Sequence, residues 1–256
     1  YQEGCLPAIG VARAAVQDTL TRRWLGVFDR IVANSAATQR QLQEDGVRVD
    51  EVVWNGVPVT AQRPPLGGPP TVSFAGRLVP KKGVDVLLRA MARVVEALPE
   101  ARLLLLGDGP ERGRLERLAA ELELGGAVAF LGHRPRAEME RLVAEAWVQA
   151  VPSVWAEPFG LVTAEALMRG TAVVTSNTGG TSEQVLEDET GLVVPPGDAE
   201  ALAAALLHVL GDRERAERMG RAGRRFALDR LTEDRVVERF LGLYGLLAPD
   251  HAAAPS

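Results

Sequence analysis

Two carboxylates, Glu157 and Glu165, stand eight positions apart in the otherwise apolar run Ala156-Glu157-Pro158-Phe159-Gly160-Leu161-Val162-Thr163-Ala164-Glu165-Ala166. Pro158 has the fixed φ and missing N–H that suit a first helical position. That placement leaves Glu157 in the preceding loop and puts Glu165 about two turns into a helix, with both able to face one cleft. The first amides of such a helix, at Phe159, Gly160 and Leu161, lack intrahelical acceptors and carry the positive end of the dipole, a seat for an anion. Glu165 is flanked by Leu161, Val162, Ala164, Ala166, Leu167 and Met168, and an unpaired carboxylate in such company is costly, so it needs a partner in the protein or in a ligand. Solvated helix charges are the plain alternative, which the apolar flanks disfavour. The acid and nucleophile of a glycosidase are a second alternative, but eight residues of helix rise about 12 Å, against the roughly 5–9.5 Å that chemistry uses. Different tasks for the two carboxylates fit better.

Cations that would complement an anionic ligand lie upstream, in Gly76-Arg77-Leu78-Val79-Pro80-Lys81-Lys82-Gly83. This turn follows an expected strand, at the carboxyl edge of a sheet, where open α/β folds bind ligands. Arg77 can fork onto phosphate oxygens, Lys82 adds a point charge, and Gly76 and Gly83 allow close backbone approach. A diphosphate suits both cations, although a solvated basic turn explains the loop equally when it is taken alone.

Gly107-Asp108-Gly109-Pro110 invites a dinucleotide reading and fails it. Its third glycine would fall at Arg112, and Leu131-Gly132-His133 stands where a ribose-binding acid would end the next strand. The turn reads instead as the floor of the cleft. Gly132, His133 and Arg134 end a strand on the same edge and can line a base pocket through backbone atoms, with Arg134 stacking on or bonding to a ring; a plain surface loop is the alternative. Asn177-Thr178-Gly179-Gly180-Thr181-Ser182-Glu183 either brings backbone to the cleft or is a simple strand-to-helix turn capped by Thr181 or Ser182. Arg213, Arg215, Arg218, Arg221, Arg224 and Arg225 are interleaved with Glu214 and Glu217 and read as a solvated face, with an anionic membrane as the minor alternative.

The elements that must position these groups are those of an α/β protein. The 256 residues are 46% hydrophobic, enough for one large or two small domains. Residues 1–60 read as the carboxyl-terminal part of one domain: a helix from about Val11 to Val27, a strand Asp29 to Asn34, a helix capped by Ser35 and ending near Gly46, and a strand Glu51 to Trp54. Residues 61–70, rich in Pro and Gly, read as a linker. Over residues 71–228 strands alternate with helices in the pattern of a doubly wound, Rossmann-like parallel sheet. Residues 229–248 read as a closing helix and 249–256 as a tail.

The net charge of −5 gives no broad basic field and argues against nucleic acid as the partner. A single cysteine, Cys5, excludes an internal disulfide, and His133, His208 and His251 are scattered, with no zinc-ligand spacing. No apolar run reaches the roughly 20 residues of a membrane helix, so the expected place is the cytoplasm, with the inner face of the membrane as a peripheral alternative. The chain opens at Tyr1 within an amphipathic pattern, as a sequence starting inside a larger protein would.

In this combination the residues resemble the retaining, nucleotide-sugar-dependent glycosyltransferases of family four, which have the two-domain GT-B fold. Four blocks match in order: Gly76-Arg77 with Lys82-Gly83; Gly107-Asp108-Gly109-Pro110; Pro152-Ser153 leading to Glu157-Pro158-Phe159-Gly160 and Glu165-Ala166; and Gly179-Gly180 with Glu183. The resemblance implies that Arg77 and Lys82 hold the donor diphosphate, that Glu165 accepts hydrogen bonds from the nucleotide ribose, and that Glu157 lies beside the transferred sugar. Glu157, Arg77 and Lys82 would then be the catalytic set, and Gly76, Gly132, His133, Arg134, Phe159, Gly160 and Leu161 would complete the donor site.

It further implies a UDP or GDP sugar as donor, a sugar, polyol or lipid-linked acceptor, and neither cofactor nor metal. Most of an acceptor-binding domain would precede Tyr1, leaving this stretch without turnover of its own. The helix Leu231 to Leu247 would brace that domain with Val236, Val237, Phe240, Leu241 and Tyr244. Lys81, Thr171 and Pro58 depart from the family's frequent Glu, Pro and Asp, away from the donor signature. A nucleotide-sugar epimerase, a phosphorylase-like enzyme of the same fold and a non-catalytic nucleotide-binding module are the rival readings.

Overall fold

The computed structural model describes residues 24–247; Cys5, most of the expected first helix and the tail lie outside the described residues. The segment before residue 60 contributes a two-stranded parallel sheet, β1 (Val32–Ala33) and β2 (Glu51–Val52), with helix α1 (Ala36–Glu44) between them. Ser35 caps α1 as its position before the helix demands, its Oγ accepting the amide of Thr38 at 3.0 Å. Both strands are shorter than the sequence pattern predicts, only two residues of each being paired in register.

The larger body alternates β3 (Thr71–Ala75), α2 (Val84–Ala97), β4 (Arg102–Leu106), α3 (Arg112–Glu121), β5 (Val128–Gly132), α4 (Arg136–Ala144), β6 (Val148–Val151), α5 (Leu161–Arg169), β7 (Ala172–Ser176) and β8 (Gly191–Val194). Helices α6 (Ala199–Leu210), α7 (Arg213–Arg230) and α8 (Glu233–Leu247) follow. All six strands are parallel, in the order β5-β4-β3-β6-β7-β8. The chain enters at the centre with β3, winds outward to β5, returns to place β6 against β3, and winds outward the other way. The reversal between β3 and β6 opens the crevice that doubly wound sheets offer to ligands.

Apolar layers cover both faces. Along β7, Ala172 and Val174 belong to one core with Leu87, Met91 and Leu206, whereas Val173 belongs to another with Phe159, Leu167 and Leu231; strand periodicity sends alternate side chains to opposite faces. Helix α2 reaches its layer through Val84, Leu87, Leu88, Met91 and Val94, the spacing of an amphipathic helix. Helix α6 starts at Asp198, whose Oδ1 accepts the amides of Glu200 (3.0 Å) and Ala201 (2.9 Å). Where β3 meets β6, Ser73 and Gln149 are register partners, both fully buried, and the Ser73 hydroxyl donates to Gln149 Oε1 at 2.8 Å.

The Pro- and Gly-rich stretch is extended but firmly seated. Arg63, 6% exposed, donates from Nε to Gly170 O at 2.8 Å and pairs with Glu217 of α7 at 3.2 Å. Glu217 Oε1 also accepts the Leu66 amide at 2.5 Å. Partial burial pushes the Glu217 carboxyl up, but that amide and Arg63 outweigh it and hold the group below its ordinary value. Helix α7 continues to Arg230, past the Phe226 at which the sequence pattern ends it, and the helix expected over Thr181 to Leu186 is a short 3₁₀ turn, Gly179–Gln184. The Val57 amide then donates to Leu231 O at 2.8 Å, and Trp54 meets the rings of Phe159 and Phe226 at 6.3 and 6.2 Å. These contacts join the two sheets.

Candidate active site

The loop after β3 is built by close backbone contact with the loop after β4. Gly76 N donates to Leu106 O and Leu78 N to Asp108 O, both at 2.9 Å. Gly107 has φ +132°, and a Cβ there would lie 1.9 Å from Gly76 O; a Cβ on Gly109 would lie 2.3 Å from Leu78 O. Gly107-Asp108-Gly109 is therefore a buttress without side chains facing the cation loop, which gives the expected cleft floor its physical meaning. Arg77, between anchored Gly76 and buried Leu78, is exposed and makes no side-chain hydrogen bond or ion pair among the described residues.

Lys82 ends a 3₁₀ turn, Pro80–Lys82, that closes at Gly83 with φ +66°. A Cβ on Gly83 would lie 2.0 Å from Pro152 O, and Val154 N donates to Lys81 O at 3.0 Å, so this turn is seated on the loop after β6. The seating brings Lys82 Nζ to 2.7 Å from Glu157 Oε1. Ser153 Oγ donates to the same oxygen. Glu157 is only 7% exposed, so its charge needs this cation and this hydroxyl. Ser153 appeared in the sequence only as part of a matching block; the signal for its role was a hydroxyl placed two residues beyond a wholly buried strand.

The glutamate helix begins later than Pro158 predicts. Gly160 is the N-cap in a left-handed conformation (φ +86°), and α5 starts at Leu161. A Cβ on Gly160 would lie 2.2 Å from Thr181 Cγ2, so contact with the loop after β7 overrides the preference of proline for a first helical position. Phe159 is 2% exposed and packs on Trp54, which leaves it only its backbone for a ligand; Gln184 Nε2 already donates to its carbonyl. Thr163 N reaches Gly160 O at 3.0 Å. Among the described residues the amides of Leu161 and Val162 have no backbone acceptor, so the open amides of this helix end are these two and not that of Phe159. Glu165 is the fifth residue of α5, just over one turn in, and helical rise no longer sets its distance from Glu157.

Glu165 faces a cavity of about 260 Å³ whose lining includes Gln62, Arg63, Met139, Met168 and Arg169, but not Arg77, Lys82 or Glu157. Arg169 is partly buried there. Burial, against the opposing charges of Glu165 and Glu140 and with a small addition from Arg63, lowers its pKa to about 10; the guanidinium stays charged at neutral pH. Its buried Nε finds no hydrogen-bond partner among the described residues.

On the far strand, Gly132 (φ +68°) accepts the Gly107 amide at 2.9 Å, which places it on the same rim as the buttress. His133 and Arg134 are exposed. Arg134 folds back onto its own segment, Nε donating to Leu131 O at 2.7 Å and the guanidinium lying 3.2 Å from Glu138. Among the described residues no three His, Cys, Asp or Glu side chains group as metal ligands, and no helix is long and apolar enough to cross a membrane.

Comparison with known proteins shows the family and the fold. The chain is 40% identical over 215 residues to a D-inositol 3-phosphate glycosyltransferase of Nocardia farcinica, covering 75% of this chain and 47% of that protein. Among solved structures it is similar to sucrose-phosphate synthase from Thermosynechococcus elongatus (TM-score 0.79, 30% identity, 91% of this chain and 62% of that one). It is also similar to Anabaena HepE in complex with UDP and glucose (TM-score 0.78, 25% identity, 89% and 67%). The chain spans about half the length of the curated relatives it matches. The six-stranded parallel sheet and these neighbours together make the fold α/β of the GT-B type. A family model described as glycosyl transferases group 1 matches residues 60–226, the stretch that carries every loop of the crevice, and the chain belongs to that family.

Proposed function

We propose that the whole protein transfers a sugar from a nucleotide diphosphate sugar to an acceptor hydroxyl, with retention at the anomeric carbon, and that the larger sheet of this chain is its donor site. The observation that carries the reading is the Lys82–Glu157 ion pair at 2.7 Å, joining the loops after β3 and β6 where the winding of the sheet reverses, with Arg77 on the first of those loops and without a side-chain partner among the described residues. Glu157 holds the ammonium of Lys82 at the crevice. An arriving diphosphate takes over Lys82 and Arg77, and Glu157 is released to accept hydroxyls of the sugar. As the glycosidic bond breaks, negative charge grows on the leaving diphosphate, and the two cations with the amides of Leu161 and Val162 stabilise it from fixed positions. This neutralisation makes a metal unnecessary.

Gly132 and His133 offer backbone atoms to the base; Glu165 is given the nucleotide ribose on the family likeness alone, because its cavity includes none of Arg77, Lys82 and Glu157. The acceptor, a sugar, polyol or lipid-linked hydroxyl, belongs to the upstream domain; HepE, the neighbour solved with UDP and glucose, supports the donor class. In the full-length protein Arg77→Ala and Glu165→Ala should each weaken nucleoside diphosphate binding by about 1.5–3 kcal/mol, roughly ten- to a hundredfold, as lost charge-assisted hydrogen bonds do. Isothermal titration measures this, and unchanged affinity in both variants refutes the assignment. The anomeric configuration of the product, read by NMR, decides retention.

A further inference from the structure

Glu183 has no task in the donor site, and its partners belong to the other sheet. Its Oε2 accepts the amide of Ala36 at 2.9 Å and its Oε1 that of Ala37 at 2.6 Å, the first two residues of α1. Ser35 Oγ takes the third amide, from Thr38. Two of the amides that helix geometry leaves open are thus satisfied from across the molecule, by an ionised group at the positive end of the dipole. Contacts around this cap run directly to the loop of Glu157. Thr38 Oγ1 donates to Pro158 O at 3.1 Å, and Gly180 N donates to Glu157 O at 2.7 Å. Gln184 Nε2 reaches Gly160 O at 3.4 Å. The fit leaves no room for side chains: a Cβ on Gly180 would lie 2.5 Å from Pro158 O and 2.8 Å from Ser35 Cβ, and one on Gly179 would lie 2.1 Å from Glu157 O.

Resting on the donor-site reading above, we infer that Glu183 is a positioning residue, which seats the upstream helix α1 on the loop of Glu157 and so couples the two sheets to the geometry of the reacting sugar. Glu183 touches no donor atom. It acts through Gly180 and the Glu157 carbonyl on one side, and through the first turn of α1, with Thr38 on Pro158, on the other. The carboxylate is required because both of its oxygens are used: an amide in its place offers one acceptor for two donors. Arg77 and Lys82, the cations for the diphosphate, come from the loop after β3, which Glu183 does not contact.

The test uses the full-length protein with Glu183→Ala and Glu183→Gln. Turnover at saturating donor should fall about tenfold or more in Glu183→Ala and less in Glu183→Gln, the scale of one charge-assisted hydrogen bond. Nucleoside diphosphate affinity should stay within about twofold, since the charged contacts to phosphate remain. Amide hydrogen exchange, which needs no turnover, should quicken about tenfold in both variants at Ala36 and Ala37 and at Gly180 and Thr163, whose amides bond to the carbonyls of Glu157 and Gly160. A role in stability alone would lower the unfolding temperature while leaving the turnover of the folded enzyme and the exchange at Gly180 and Thr163 unchanged, and would overturn the inference. A loss of nucleotide affinity matching the loss of turnover would also overturn it. Should Glu183→Ala fail to fold, the near-isosteric Glu183→Gln carries the same comparisons. If the wild-type protein transfers no sugar, the donor-site reading falls while the exchange measurement still decides the coupling.

Discussion

Lys82 and Glu157 form an ion pair with side-chain exposures of 23% and 9%, so water screens neither charge fully. Lys82→Met leaves the carboxylate with Ser153 alone and should cost about 1–3 kcal/mol of stability. Glu157→Gln in the same chain should recover most of that loss, a non-additivity that urea unfolding of the single and double variants measures. Arg169 shows the opposite balance. With its pKa lowered from the ordinary guanidinium value to about 10, the unfolded chain binds more protons between those two values. The buried charge therefore subtracts stability at neutral pH and is relieved only as pH rises above about 10. Arg169→Met should accordingly raise the unfolding free energy at neutral pH by roughly 1–2 kcal/mol; a less stable variant would show that Glu165 and Glu140 depend on the cation more than burial costs it. The sequence displayed Lys82 and Glu157 as groups of suitable chemistry for one ligand. Their direct pairing was not legible, because it depends on two loops 75 positions apart meeting where the sheet reverses.

At the scale of elements, the glycines set which loops can meet. Gly83→Ala combines a left-handed backbone, costing about 1–2 kcal/mol, with a Cβ 2.0 Å from Pro152 O, so Pro80–Lys82 must move away from Ser153 and Val154. A total loss of about 2–4 kcal/mol and weaker nucleotide binding are expected. Gly68→Ala is the control, having the same φ of +66° with nothing within 4 Å of the added carbon, and it should lose only the backbone component, as thermal unfolding of both variants will show. Elements with an unbroken apolar stripe or a capping side chain, such as α2 and α6, could be read from the sequence because local preference and tertiary packing agree there. The start of α5 could not. Pro158 favours a first helical position locally, but Thr181 and Gln184, more than twenty positions later, hold Phe159 and Gly160 outside the helix. Glu183 escaped for the same reason: as the end of a glycine turn it carries no local sign that its acceptor oxygens serve another sheet.

For the whole molecule, Glu217 fastens the extended segment after residue 60 to α7 through Arg63 and Leu66. Its carboxyl lies below the usual value, so the stability it contributes is present above the unfolded-chain value and is lost as pH falls through the folded one. Thermal midpoints followed from neutral pH to about pH 3 should show Glu217→Gln less stable than wild type near neutrality, with a shallower acid limb. The alternation of strands and helices made the larger sheet legible, since each period change marks a boundary. The surface around α8 was legible in part: Val237, Leu241 and Tyr244, expected as a brace, are largely exposed among the described residues, with Val236 and Phe240 partly covered.

The sealed Ser73–Gln149 pair has a consequence for assembly. The strands β3–β5 and β6–β8 wind outward from that seam, so hydrogen bonding inside either half does not determine how far one half slides along the other. A slip of one residue would turn Val72 or Val148 toward the wrong layer and strand a hydroxyl and an amide in hydrocarbon, a penalty of about 1–3 kcal/mol for each group. Misaligned halves are therefore disfavoured, and this seam fixes the register of the sheet on which the crevice stands.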